Sequence, residues 1–165
     1  MAIAIMRDTH EELVKRVQEL KQEIRDNTQD IKEAAAQGDL SENAEYDSAK
    51  ERQSMLHYKL NQLQMYMNVE IFDESDINTE TVSFGTRVVL DDNKSGKTIT
   101  YNLVGPAELE LENYSRIMTY TSPLAKAMLG KEIGDTVEIK KPDKHLSYTI
   151  KDILSAMDDS KIEQD

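Results

Sequence analysis

The chain has 165 residues, with 20 Lys plus Arg against 32 Asp plus Glu, a formal net charge of −12, no Cys and no Trp. These counts exclude a disulfide framework, a thiol nucleophile and a Cys-ligated zinc. They also disfavour free association with nucleic acid or an anionic membrane, because phosphate binding rests on clustered Lys and Arg.

With 38% hydrophobic residues and two Phe, one thick core is hard to fill, so two modest domains are expected. The apolar run Ala2 to Met6 is shorter than a signal-peptide core or a bilayer span, and the expectation is a soluble, cytoplasmic protein.

From Leu13 the seam positions fall at Val17, Leu20, Ile24, Asn27, Ile31 and Ala34, in alternating steps of three and four. After a short break the pattern resumes with Tyr46, Ala49, Gln53, Leu56, Leu60, Leu63 and Met67. Neither stretch contains Gly or Pro, and only Gly38-Asp39-Leu40-Ser41 separates them. This predicts two helices of matching length folded back as an antiparallel coiled-coil hairpin over residues 1–75. A rod of this kind buries one narrow stripe, which accounts for the low apolar content. Met55, Met65 and Met67, at or beside seam positions, are expected to serve as adaptable core.

Beyond Phe72 the periodicity changes. Thr86 to Leu90, Thr98 to Val104, Arg116 to Tyr120, Thr136 to Lys140 and Ser147 to Ile153 read as strands, with a turn at residues 91–96. One short helix is predicted after Ser122 as N-cap and Pro123 as first residue, stopping at Gly130. The fold class is therefore α+β: the hairpin, then a small antiparallel sheet domain with one short helix over residues 76–155. The polar, acidic tail over residues 156–165 is expected to fray.

The hairpin closes through residues 38–46, where Asp39, Glu42 and Glu45 recur every third position. Two readings stand side by side. If the second helix begins here, Asp39 and Glu42 share a face and form a hard-oxygen site of the kind that suits Mg²⁺. The same spacing also matches a capping box, with acids stabilising the helix dipole. Leu40, Asn43 and Tyr46 add more than a cap needs: an apolar group at a tip, flanked by acids and hydrogen-bonding side chains.

The run Gly38-Asp39-Leu40-Ser41-Glu42-Asn43-Ala44-Glu45-Tyr46, continued to Gln53, resembles the signature of bacterial GreA/GreB transcript cleavage factors. Val82-Ser83-Phe84-Gly85, Leu103-Val104-Gly105-Pro106 and Thr121 to Lys131 followed by Gly134-Asp135 resemble that family's C-terminal pattern in the same order. The similarity spans about residues 8 to 154.

It implies an FKBP-like second domain that anchors at the rim of the RNA polymerase secondary channel, with the coiled coil inserted through it. Asp39 and Glu42 would then reach the polymerase active site, help hold a second Mg²⁺ and orient the water that hydrolyses backtracked RNA. Leu40, Ser41, Asn43, Glu45 and Tyr46 would position the tip, Lys50 would lie near the RNA, and Ser122 and Pro123 would touch the polymerase. The chain would stimulate another enzyme's reaction rather than run its own. It would meet the nascent RNA 3′ end only within the elongation complex, with no independent DNA or membrane binding.

Two departures from the family pattern matter. Ala35 stands where the family commonly carries an Arg that guides extruded RNA, which predicts weaker RNA anchoring and leaves an alternative: a channel-binding regulator that inhibits without stimulating cleavage. Ile24-Arg25-Asp26-Asn27-Thr28 replaces the family's Arg-Pro interruption, which predicts a straighter rod. The seam alone would also fit a coiled-coil adaptor.

A prolyl isomerase is disfavoured by the scarcity of aromatics. His10, His57 and His145 lack ligand spacing, Asn93-Lys94-Ser95 reads as a turn, and Lys140, Lys141 and Lys144 read as a solvated loop.

Overall fold

The computed structural model describes residues 4–38 and 43–157. They fall into two compact units, a helical one that begins at residue 10 and ends at residue 68, and a sheet unit that joins residues 4–9 to residues 69–157. The first residues, assigned by their sequence to the rod, thus belong to the sheet unit.

Strand β1 (Ala4–Met6) runs directly into helix α1 (Arg7–Ala36), and helix α2 (Ala44–Gln64) follows. At 1.5 Å per residue α1 is roughly 45 Å long and α2 roughly 30 Å. The helices are therefore unequal. Tyr66 N–H donates to the Leu63 carbonyl and Met67 N–H to that of Gln64, so α2 ends in tighter turns before the last seam position is reached.

The predicted seam is the least exposed face. Leu13, Val17, Ala34, Leu56, Leu60 and Leu63 are buried, and Leu20, Ile24 and Ile31 are half-buried. Met55 and Met65 do not serve as core, being 57% and 72% exposed. They sit beside the seam, and one position on a helix is a 100° turn away from it.

Asn27 interrupts the seam with a polar layer. Its amide donates to the Ala49 carbonyl at 2.8 Å and to Gln53 Oε1 at 2.6 Å, while Gln53 Nε2 donates to Thr28 Oγ1 at 3.1 Å. A buried amide inside a coiled coil costs stability and fixes register, because any slip strands its donors. The antiparallel pairing of α1 with α2 is specified here, well below the tip.

In the sheet unit β1 pairs in parallel with β2 (Glu70–Phe72), from Ala4 opposite Glu70 to Met6 opposite Phe72. A 3₁₀ turn at Glu74–Asp76 leads to the main sheet. Its strands are β3 (Thr86–Asp92), β4 (Thr98–Val104), β5 (Ile117–Thr119), β6 (Thr136–Lys140) and β7 (His145–Ser155), in the order β5-β4-β3-β7-β6.

Two expectations are corrected together. There are two short α-helices, α3 (Pro106–Leu111) and α4 (Pro123–Met128), and the sheet is mixed, because β4 and β5 are parallel. A parallel neighbour needs a crossover, and α3 is that crossover. Its start is written as Gly105 at the N-cap and Pro106 at the first helical position, a pair that reads equally well as a strand end.

Val88, Leu90, Leu103, Val137, Ile150 and Ile153 meet Ala125 and Met128 of α4 in the main core. A second cluster gathers Met6, Val104, Tyr114 and Ala156, with Phe72 and Phe84 packed edge to face at 5.1 Å. Ala156, assigned above to the fraying tail, is fully buried, and its N–H donates to the Gly85 carbonyl at 2.8 Å. Gly85 has φ +87, and a Cβ there would meet Ile77 at 3.0 Å, so the position requires glycine. No helix among the described residues is long and apolar enough to cross a membrane.

Candidate functional site: the hairpin tip and an apolar groove

Asp39, Leu40, Ser41 and Glu42 lie outside the described residues. The residues that receive them are well defined. Asn43 is the N-cap of α2, and its Oδ1 accepts from Tyr46 N–H at 3.1 Å. Its Nδ2 donates to the Ala34 carbonyl at 2.7 Å. One side chain thus caps the start of α2 and satisfies a carbonyl in the last turn of α1.

The cap of α2 is therefore Asn43 and its first residue Ala44, while the two readings of the 39–42 spacing fall outside the described residues. Glu45, in the first turn of α2, is exposed, and with Asp47 it complements the positive end of the helix dipole.

Tyr46 is half-buried, and the Lys50 ammonium sits 5.4 Å from its ring centroid. That cation–π contact pins the Tyr46 ring along the rod and holds Lys50 one turn behind the tip. A groove of about 520 Å³ opens behind Asn43, with Asp30 and Glu33 of α1 facing Glu45, Ser48 and Arg52 of α2. Arg52 is the site residue that the sequence reading passed over. Its spacing from Ser48 and Ala49, which line the same groove, is the signal that finds it.

Asn43→Ala removes both hydrogen bonds. The expected cost is about 1–2 kcal/mol of hairpin stability, with faster amide exchange confined to the ends of α1 and α2 nearest the tip. Hydrogen exchange read residue by residue checks this. Uniform protection along the helices would show that the cap does not hold the tip.

The sheet unit carries the second feature. Ser122 caps α4, its Oγ accepting from Ala125 N–H at 3.3 Å, and Pro123 occupies the first helical position. Both border a groove of about 370 Å³ walled by Leu109, Ile117, Met118, Leu124, Ile139 and Leu146. Lys141 is the one cation on its lining among the described residues. Leu109 is 52% exposed, so apolar surface stands open beside the cap.

On the other side of α3, Glu108 is fully buried. Its Oε1 accepts from Gly105 N–H at 3.2 Å, whereas Oε2 meets no hydrogen-bond partner among the described residues. Burial pushes its carboxyl up to about 7, against the lowering effect of the Gly105 N–H and the Thr9 hydroxyl, and the charge of Asp8 raises it further.

A helical hairpin closed by an acid-rich sequence, followed by a mixed sheet with an open apolar groove, defines the class of a two-unit α+β chain with a rod-like helical unit. Two family descriptions match almost the whole chain: the N-terminal domain of transcription elongation factors over residues 3–69 and the GreA/GreB C-terminal domain over residues 75–155. The chain belongs to the GreA/GreB family of transcription elongation factors.

Transcription elongation factor GreA of Acidiphilium cryptum is 43% identical over 121 residues, 73% of this chain and 76% of the relative. GreA of Nitratidesulfovibrio vulgaris strain DP4 is 38% identical over 150 residues, 90% and 91% of the two chains. Among solved structures, GreA factor homolog 1 of Thermus thermophilus aligns with 93% of this chain and 99% of its own, at 19% identity and a TM-score of 0.43.

Proposed function

We propose that this elongation factor enters the secondary channel of RNA polymerase and stimulates the polymerase's own hydrolysis of backtracked RNA, so that arrested complexes resume. The observation that carries the reading is Asn43. It fastens the two helices to one another immediately behind Asp39 and Glu42, and a rod can deliver carboxylates to a distant centre only if its end is held.

Two carboxylates are a hard-oxygen donor set suited to Mg²⁺, which is typically held by one or two carboxylates together with substrate oxygens. Asp39 and Glu42 would hold the ion jointly with the polymerase, and it would supply Lewis-acid stabilisation of charge on the scissile phosphate. The chain's own residues do the positioning. Asn43 sets the tip, Tyr46 and Lys50 stiffen the first turns behind it, and Lys50 and Arg52 offer positive charge to the RNA strand in a region otherwise rich in acids. On this reading the chain lends ligands to the polymerase's site, and the polymerase runs the reaction. Leu109, Leu124 and Leu146, bordered by Ser122 and Pro123, form the docking face for an apolar element at the channel rim.

The test is a stalled, backtracked elongation complex with labelled RNA. Adding the protein with Mg²⁺ releases short 3′ fragments and restores extension. Inhibition of synthesis with no fragment release at saturating protein overturns the cleavage reading in favour of an inhibitory regulator.

A further inference from the structure

One face of α2 remains unused by the hairpin and by the functional reading. Met55, Tyr58 and Met65 are 57%, 63% and 72% exposed. With Gln62 they fall at steps of three, four and three, a second heptad stripe that runs along the side of α2 away from the seam and ends at Met65, the C-cap, which keeps helical backbone angles. Tyr58 and Gln62 are already joined on this face, Gln62 Nε2 donating to the Tyr58 hydroxyl at 2.9 Å.

Charge is distributed to match. Asp and Glu make up 32 of 165 residues, yet none occurs from residue 53 to residue 69. Within that stretch Lys59 is the sole Lys or Arg. In a chain of net charge −12, close approach of two copies is least opposed at a face that brings no carboxylates together. This stretch is such a face.

We infer that the Met55–Tyr58–Gln62–Met65 stripe of α2 is a self-association surface, on which a second copy of this chain packs its own α2 antiparallel. The stripe is its own complement. When two copies run antiparallel about an axis at the level of residue 60, Met55 of one lies opposite Met65 of the other, and Tyr58 lies opposite Gln62. Each contact is therefore made twice, as a two-fold interface requires. The thioethers pack on each other and on the Tyr58 ring, and the Tyr58–Gln62 pair exchanges hydrogen bonds at the centre. Three large side chains per copy cover far less than the ~1,600 Å² of a standard interface, so the dimer is weak, with a dissociation constant on the order of 100 µM. Long-range repulsion between two acidic chains opposes it, and salt screens that repulsion.

Sedimentation equilibrium of the full chain from 10 µM to 1 mM tests the inference. The expected result is an average mass that rises from 18.8 kDa towards twice that value, more steeply at 0.5 M NaCl than at 0.05 M. Met55→Glu with Met65→Glu places like charges opposite each other in the dimer and should leave the chain monomeric throughout. Both positions are exposed, and an unchanged helical circular dichroism signal verifies the fold. Gln62→Leu fills the stripe and should tighten the dimer about tenfold.

A constant 18.8 kDa at 1 mM in high salt overturns the inference. So does association that the double Glu variant leaves intact, because the contact then lies elsewhere. A double Glu variant that loses polymerase binding while the parent is monomeric assigns the stripe to the polymerase instead. The mass of the parent chain says nothing of fragment release, and fragment release by the parent says nothing of its mass, so this inference and the cleavage reading fail independently.

Discussion

Asp39→Asn combined with Glu42→Gln is expected to lower fragment release from a backtracked elongation complex by about 100-fold or more, the scale on which removing transition-state charge stabilisation acts. The substitutions keep size and hydrogen-bonding capacity while removing both negative charges, so the loss tests ligation and not shape. Affinity for the polymerase should hold within about threefold, because the groove proposed to dock it is formed by the sheet unit and is untouched. If the acids recruit a weakly held ion, the single variants should regain part of their activity as Mg²⁺ is raised from 1 to 20 mM, and the double variant should not. Full activity in the double variant would show that the tip acts by occupying space alone.

Glu108→Gln is expected to stabilise the sheet unit at pH 8 by on the order of 2–3 kcal/mol and to leave it unchanged near pH 4. The sign follows from the direction of the shift. Glu108 titrates at about 7 in the folded chain against an ordinary value of 4.5. Below 4.5 it is protonated in both states and contributes no difference. Between 4.5 and 7 the unfolded chain ionises while the folded one holds its proton, so stability falls as pH rises. Above 7 the folded chain carries a buried carboxylate with one oxygen that meets no hydrogen-bond partner among the described residues, and the full cost is present.

Glutamine keeps the oxygen that accepts from Gly105 N–H and has no charge to bury. Urea melts at pH 4, 6 and 8 should give a parent whose midpoint falls with pH and a variant whose midpoint falls less. Equal slopes in the two proteins would locate the pH dependence elsewhere.

The seam was legible because a coiled coil repeats its rule at every turn, and each predicted seam residue is buried or half-buried. Strands β4 and β6 and helix α4 were legible to the residue or nearly so, since β-branched alternation and a Ser-Pro start are local signals. What escaped was long-range. β1 and β2 are three residues each and pair across the whole hairpin, so neither shows a period. Helix α3 was hidden by Pro106-Ala107-Glu108-Leu109-Glu110-Leu111, which alternates as a strand would. Met55 and Met65 are exposed because burial depends on which flank of the seam a partner covers, and spacing alone leaves that open. Among the tip residues, Asn43 was recognised by type, but its double role depends on where α1 ends, a fact of tertiary structure.

The three-rung ladder between β1 and β2 has a thermodynamic consequence. It joins residues 4–6 to residues 70–72 and so closes a loop that contains the entire helical unit. Cross-linking a long loop removes chain entropy that the helices would otherwise have to overcome, and the extra cost grows only logarithmically with length. The hairpin can therefore gain or lose whole heptads in matched pairs, each pair shifting its reach by roughly 10 Å, with almost no change in closure cost and no change in the sheet. Rod length is in this sense an adjustable dimension of the fold, set by the depth of whatever the tip must reach.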